Sequence, residues 1–165
     1  MAWQARRKLN LPLGVRVMNQ VEQCTLQARM ADLSPAVAFV EGFCAAHGID
    51  PDDTLRLTLM VEELFTNTVE HGHGGDSEAP VRLTLRDDTH QLELFYEDRA
   101  PAFNPLDRVA DAAPQGPDQP DEPADFEALR PGGLGVVLVL RMAANARYAY
   151  EDGCNRLWLG LRRGT

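Results

Sequence analysis

The sequence predicts an α/β fold of two layers, a mainly antiparallel sheet with helices on one face. Two capped helical segments follow one another between Ser34 and Gly72. Two pairs of alternating strand segments follow at 81–96 and 146–161, and an apolar stretch after Gly135 runs too long for a strand. Strands grouped in pairs, rather than alternating singly with helices, favour an antiparallel sheet over a parallel one.

The elements are taken in order. After a poorly patterned N-terminal stretch, Cys24 to Ala28 alternates enough to be a strand. A helix is expected from Ser34 as N-cap, with Pro35 at its first position, apolar residues at Val37, Val40, Phe43 and Cys44, and Gly48 as terminator. Asp50-Pro51-Asp52-Asp53 repeats the start signal and places acids at the positive end of a second helix, which should stop at Gly72. His71 to Pro80 is a turn-rich loop. Val81 to Leu85 and Leu92 to Tyr96 form a hairpin around a polar turn at Asp87 to Gln91. From Asn104 to Pro131 periodicity is lost; six prolines and seven acids stand there against Arg108 and Arg130, the pattern of a functional lid or of an acidic linker. Gly132-Gly133-Leu134-Gly135 then leads into 136–144, Val-rich at first but continuing through Met142 and two alanines, which favours a buried helix. Ala146 to Glu151 and Arg156 to Leu161 close the chain as a second hairpin around Asp152-Gly153-Cys154-Asn155.

At 165 residues and 18.3 kDa the chain suits a single domain over 1–165. A net charge of −9 and a pI near 4.8 oppose direct attraction to nucleic acid or anionic lipid. No apolar run approaches spanning length, and the basic start has no following apolar stretch of a signal peptide, so no membrane partner and a cytoplasmic location are expected. Cys24, Cys44 and Cys154 are odd in number and far apart; they read as reduced, mostly buried thiols. His71 and His73 beside Glu70 and Asp76 form only a weak metal signal, because no clear further ligand accompanies them.

The second helix carries the most informative feature. Glu63, Asn67 and His71 recur every four residues, so on a helix they share one face. With Glu63 at zero, Asn67 lies at about 40° and His71 at about 80°, while Leu57, Val61, Leu64 and Thr68 fall between roughly 100° and 160°. The helix has an apolar back and a polar front, a pattern also found on ordinary solvated helices. Two other segments bear on its use. Asp98 stands at a strand end before the irregular run Arg99 to Pro105, where a carboxylate can accept from an exocyclic amine. The glycines at Gly132 to Gly135 precede a helix, an arrangement that lets backbone approach a phosphate. That loop departs from both GxGxxG and GxxxxGK[ST], so neither a dinucleotide site nor a P-loop is indicated.

In this order the segments resemble the GHKL (HATPase_c) ATPase superfamily, and more closely the bacterial anti-sigma-factor serine kinases of the RsbW and SpoIIAB type, over roughly Thr25 to Arg162. VEELFTNTVEHG, with Glu63, Asn67 and His71, is similar to the family's N box, DRAPAFNP (Asp98 to Pro105) to its first glycine box, and GGLGVVLV to its second. The resemblance implies a Bergerat-type fold that binds ATP and Mg²⁺, with Asn67 as metal ligand and Glu63 as the catalytic base toward a serine or threonine hydroxyl. It also implies Asp98 at adenine, and a nucleotide-contacting set that takes in His71, Ala100, Phe103, Gly132, Gly133, Leu134 and Gly135, with 104–131 as lid. The implied partners are an anti-sigma-factor antagonist of the STAS type, a sigma factor and a second copy of the chain. Two departures stand out: Ala100-Pro101 replaces the usual glycine after Asp-x, which restricts the turn, and the lid is strongly acidic. They support an alternative, a non-catalytic partner-binding regulator with weak or lost ATP turnover.

Overall fold

The computed structural model describes residues 20–88, 91–107 and 134–164. Five strands, β1 (Gln20–Gln27), β2 (Pro80–Asp87), β3 (Gln91–Asp98), β4 (Asn145–Glu151) and β5 (Cys154–Arg162), form one sheet in the order β1-β2-β3-β5-β4, with every neighbouring pair antiparallel. Alternation along the strands sends Val81, Leu83 and Leu85, Leu92, Leu94 and Tyr96, and Leu157, Leu159 and Leu161 to one face. There they join one buried cluster with side chains from α1 (Leu33–His47), α2 (Pro51–Asn67) and α3 (Leu134–Met142). The expected two-layer sandwich is thus the observed one. The opposite sheet face is polar and half-exposed. It carries Arg82 and Arg156 paired to Glu97 at 2.8 Å each, and Trp158 between Phe95 and the Arg147 guanidinium.

Local signals account for most boundaries. Asp50 caps α2, its Oδ1 accepting from Asp53 N–H at 2.9 Å, with Pro51 following as expected. Gly48 ends α1 in the left-handed conformation, φ 61°. The start of α1 differs from the expected Ser34 cap. A 3₁₀ turn at Met30–Asp32 feeds the helix from Leu33, and the Asp32 carboxylate accepts from Gln27 N–H at 2.8 Å instead of capping. The Val-rich stretch is a helix because α3 packs against α2 with Val136, Val139 and Leu140 in the core.

Arg56 ties the start of α2 to the ends of α3 and β5: it bonds the buried Asp53 carboxylate, the Met142 carbonyl at 2.7 Å and the Arg162 carbonyl. Cys44 and Cys154 are buried and Cys24 half-buried, all as free thiols. No helix among the described residues is long and apolar enough to cross a membrane. The expected lid beyond Asp107, together with Gly132 and Gly133, lies outside the described residues.

Candidate functional site

The α2 helix does not end as a plain α-helix. From Thr68 to Gly72 it widens into a π turn, closed by His73 N–H donating to the Thr68 carbonyl at 2.9 Å. Such turns displace side chains from the regular α stripe. The widened end forms one wall of a cavity of about 430 Å³. Asn67, Thr68, His71 and Gly72 line it from α2, Asp98, Ala100, Pro101 and Phe103 from the end of β3 and the turn after it, Val136 from α3, and Tyr148, Asn155 and Leu157 from the last hairpin.

Five of the residues singled out from sequence therefore share one space: Asn67, His71, Asp98, Ala100 and Phe103. Glu63, one turn before Asn67, is not in the lining. It lies against the first turn of α3, so close that a Cβ on Gly135 would run into its carboxylate. The obstructing atoms all belong to the end of the Glu63 side chain, and a carboxylate beside a helix N-terminus is electrostatically favoured. For Leu134 only the backbone is described, as the first residue of α3.

Asp98 is held by three donors from three elements. It is buried, its Oδ1 accepting from Ala100 N–H at 2.8 Å and from Asn155 Nδ2 at 2.9 Å, its Oδ2 from the Thr68 hydroxyl at 3.1 Å. An ionised carboxylate has about four acceptor positions, so about one remains, on Oδ2. Thr68 Oγ1 is also 2.8 Å from the Tyr96 hydroxyl. Burial first, and then the neighbouring Asp98 charge, raise the Tyr96 phenol well above its ordinary value. Tyr96 therefore keeps its proton and donates to Thr68, whose single proton is shared between Asp98 Oδ2 and the Leu64 carbonyl at 3.0 Å.

Sequence reasoning missed four members of this network, Thr68, Tyr96, Tyr148 and Asn155. Thr68 sits on the apolar back of the helix by angle, and Tyr96 reads as an ordinary inward strand residue. Asn155 reads as part of a hairpin turn. Only the β3–β5 register, which sets Asn155 directly opposite Asp98, reveals its role.

The residues fit a bound nucleotide and metal. Asn67 Nδ2 is buried without a hydrogen-bond partner, and such an orphan costs about 1–3 kcal/mol. A half-turn of the amide presents its oxygen to the same surroundings, so a group held in the cavity could satisfy either end. The His71/His73 metal signal finds no support: among the described residues no three His, Cys, Asp or Glu side chains are placed to hold an ion. Asp76 instead accepts from Met30 N–H at 2.8 Å.

Comparison with known proteins bears on the family and the fold. The sequence pattern of the family described as "Histidine kinase-like ATPase domain" matches residues 26–161. The serine/threonine-protein kinase BtrW of Bordetella bronchiseptica is 27% identical over 103 residues, 62% of this chain and 66% of that one. The serine-protein kinase RsbW of Listeria monocytogenes is 24% identical over 114 residues, 69% of each. The match spans about two thirds of these relatives. A crystal structure of the RsbU and RsbW domains of a Mycobacterium tuberculosis protein superimposes with a TM-score of 0.54 at 17% identity. It covers 87% of this chain and 32% of that one, a likeness of fold.

Proposed function

We propose that this chain, which belongs to the histidine kinase-like ATPase domain family, binds ATP with Mg²⁺ in the cavity and acts as an anti-sigma-factor kinase. Its substrate in this reading is a serine or threonine of a STAS-domain antagonist, within a partner-switching system in the cytoplasm that also involves a sigma factor. The likeness to RsbW and BtrW kinases supports the class of reaction. The chain acts as one domain and pairs with a second copy in the same reading.

The observation that carries the proposal is Asp98. A buried carboxylate with three donors in place and about one acceptor position remaining, at the wall of a cavity this size, suits the exocyclic amine of adenine. Phe103, half-exposed in the same lining, offers a ring to a flat base. Asn67 provides a hard oxygen for Mg²⁺, which neutralises phosphate charge when bound. Glu63, four residues before Asn67 on α2, serves as the base that takes the proton of the incoming hydroxyl. His71 and the glycines at 132, 133 and 135 complete the phosphate side in the same reading.

One feature favours a second reading. The segment 104–131 carries seven acids against two arginines, which disfavours clamping a triphosphate and is compatible with a partner-binding regulator of low turnover. Calorimetric titration with Mg²⁺-ATP, followed by transfer of labelled γ-phosphate to a STAS-domain protein, separates the two. Binding with transfer supports the kinase; binding without transfer supports the regulator. Absence of binding at millimolar ATP rejects the nucleotide site.

A further inference from the structure

Resting on the ATP reading above, we infer that Asn155 is the positioning residue that sets base selectivity: it orients Asp98 as an acceptor with its remaining position on Oδ2, so the site selects purines bearing an exocyclic amino group. Asn155 stands at the start of β5, buried, directly opposite Asp98 in the β3–β5 pairing. Its side-chain oxygen accepts from Phe103 N–H at 3.0 Å and from the Tyr148 hydroxyl at 2.8 Å. A backbone N–H can only donate, so the amide oxygen must face Phe103 and the amide nitrogen must face Asp98.

That nitrogen has two protons. One goes to Asp98 Oδ1 at 2.9 Å; the other is shared between the carbonyls of Ala100 at 3.1 Å and Pro101 at 3.2 Å. Every donor and acceptor position of the amide is thereby used, and it has no alternative orientation. Burial raises the Tyr148 hydroxyl above its ordinary value, which preserves it as a donor to this amide.

The consequence falls on Asp98. With Ala100 N–H and Asn155 both on Oδ1, that oxygen is saturated, and the remaining position belongs to Oδ2, which Thr68 shares. A surface that can only accept favours an amino group and opposes a carbonyl, because an oxo-purine would set acceptor against acceptor. Asn155 also holds both carbonyls of the Ala100-Pro101 turn, so the same side chain supplies the turn's rigidity. The chain around the base is fixed from β5, 57 residues away from Asp98 in sequence.

The test uses three variants of the full chain, Asn155→Ala, Asn155→Asp and Tyr148→Phe. Each is titrated with ATP, with ITP and with purine riboside 5′-triphosphate, which lacks the amino group. Wild type should prefer ATP over the amino-free analogue by about 10- to 100-fold. In Asn155→Ala that ratio should collapse toward one, through loss of ATP affinity alone. Tyr148→Phe should shift it the same way by a smaller factor.

Asn155→Asp faces Asp98 with a second carboxylate, and two carboxylates at such a distance share a proton. The shared proton restores a donor to Asp98, so ATP affinity relative to wild type at each pH should rise as pH is lowered from 8 to 6. Equal losses for all three nucleotides, with no pH response in Asn155→Asp, overturn the inference and leave Asn155 a purely structural residue. If Asn155→Ala does not fold, the other two variants decide. Failure of wild type itself to bind ATP rejects the nucleotide reading and this inference together, an outcome distinct from wild-type binding with unchanged ratios.

Discussion

Replacing Thr68 with valine should destabilise the protein by about 2 kcal/mol, the midpoint of the range for leaving a buried polar group unsatisfied. Valine matches threonine closely in shape, so the change isolates the hydroxyl. In wild type that hydroxyl lies 2.8 Å from the Tyr96 hydroxyl, 3.1 Å from Asp98 Oδ2 and 3.0 Å from the Leu64 carbonyl. Asp98 retains two other donors and borders the cavity, where water can approach. Tyr96, 3% exposed at the wall of the same cavity, loses its hydroxyl partner altogether, so the cost falls mainly there. Urea unfolding followed by far-UV circular dichroism measures the change; for a chain of this size about 2 kcal/mol corresponds to a melting-temperature drop of about 4–8 °C. The double variant Thr68→Val/Tyr96→Phe supplies the control, because removing both partners of a buried bond is close to neutral. It should recover at least about 1 kcal/mol relative to the sum of the single changes. Strict additivity, or a Thr68→Val protein within about 0.5 kcal/mol of wild type, refutes the hydroxyl relay.

Three further outcomes are expected. Gly72→Ala should cost about 1–3 kcal/mol, because the added Cβ would lie 2.7 Å from the Ala100 Cβ; Ala100→Gly in the same chain should restore most of it, and thermal melts of the four proteins read the coupling. Desolvation raises the Cys24 thiol from 9.0 to about 11; the unfolded chain releases that proton first, so stability should decline as pH rises from 9 to 11, and Cys24→Ala should flatten the urea midpoint over that window. Under the kinase reading, Glu63→Ala should bind ATP and lose phosphotransfer, whereas Asn67→Ala should lose Mg²⁺-dependent binding. Equal transfer rates in wild type and Glu63→Ala would remove Glu63 from the chemistry.

What the sequence made legible was whatever is written locally. The Asp50 cap, the Gly48 terminator and the alternation of β2, β3 and β5 depend on neighbours a few residues apart, and they appear as expected. Strand β1 was legible only in its second half: it is an edge strand, and Gln20 to Gln23 are too polar to mark a strand without the β2 backbone they pair with. The π turn was not legible at all. Its residues Thr68 to Gly72 look like a last α turn, and the extra width shows in backbone bonds such as that from His73 to Thr68. The site divides in the same way. Asn67, His71, Asp98, Ala100 and Phe103 were visible as motif positions. Asn155 was not, because its meaning comes from contacts across more than fifty residues, and Tyr148 gains its role only through the Asn155 amide it bonds.

That division explains how a chain can depart from its family's glycine pattern and still build the turn. Ala100 and Pro101 look restrictive when read one residue at a time, yet neither has a positive φ and no peptide bond there is cis. The turn does not use the freedom a glycine would bring; it needs room for the Ala100 methyl group and a means of holding its carbonyls. Room comes from Gly72, whose lack of a Cβ leaves the Ala100 methyl unobstructed at the widened end of α2. Holding comes from Asn155, which bonds both carbonyls and the Asp98 carboxylate between them. A glycine in the turn would have made conformational freedom available there at an entropic cost on folding. In this chain the glycine stands on the facing helix end instead, and a buried amide from the last hairpin fixes the turn. The Asp98 site is therefore a property of three elements closing on one another, α2, the turn after β3 and β5, and a substitution in any one should be judged by what the other two already supply.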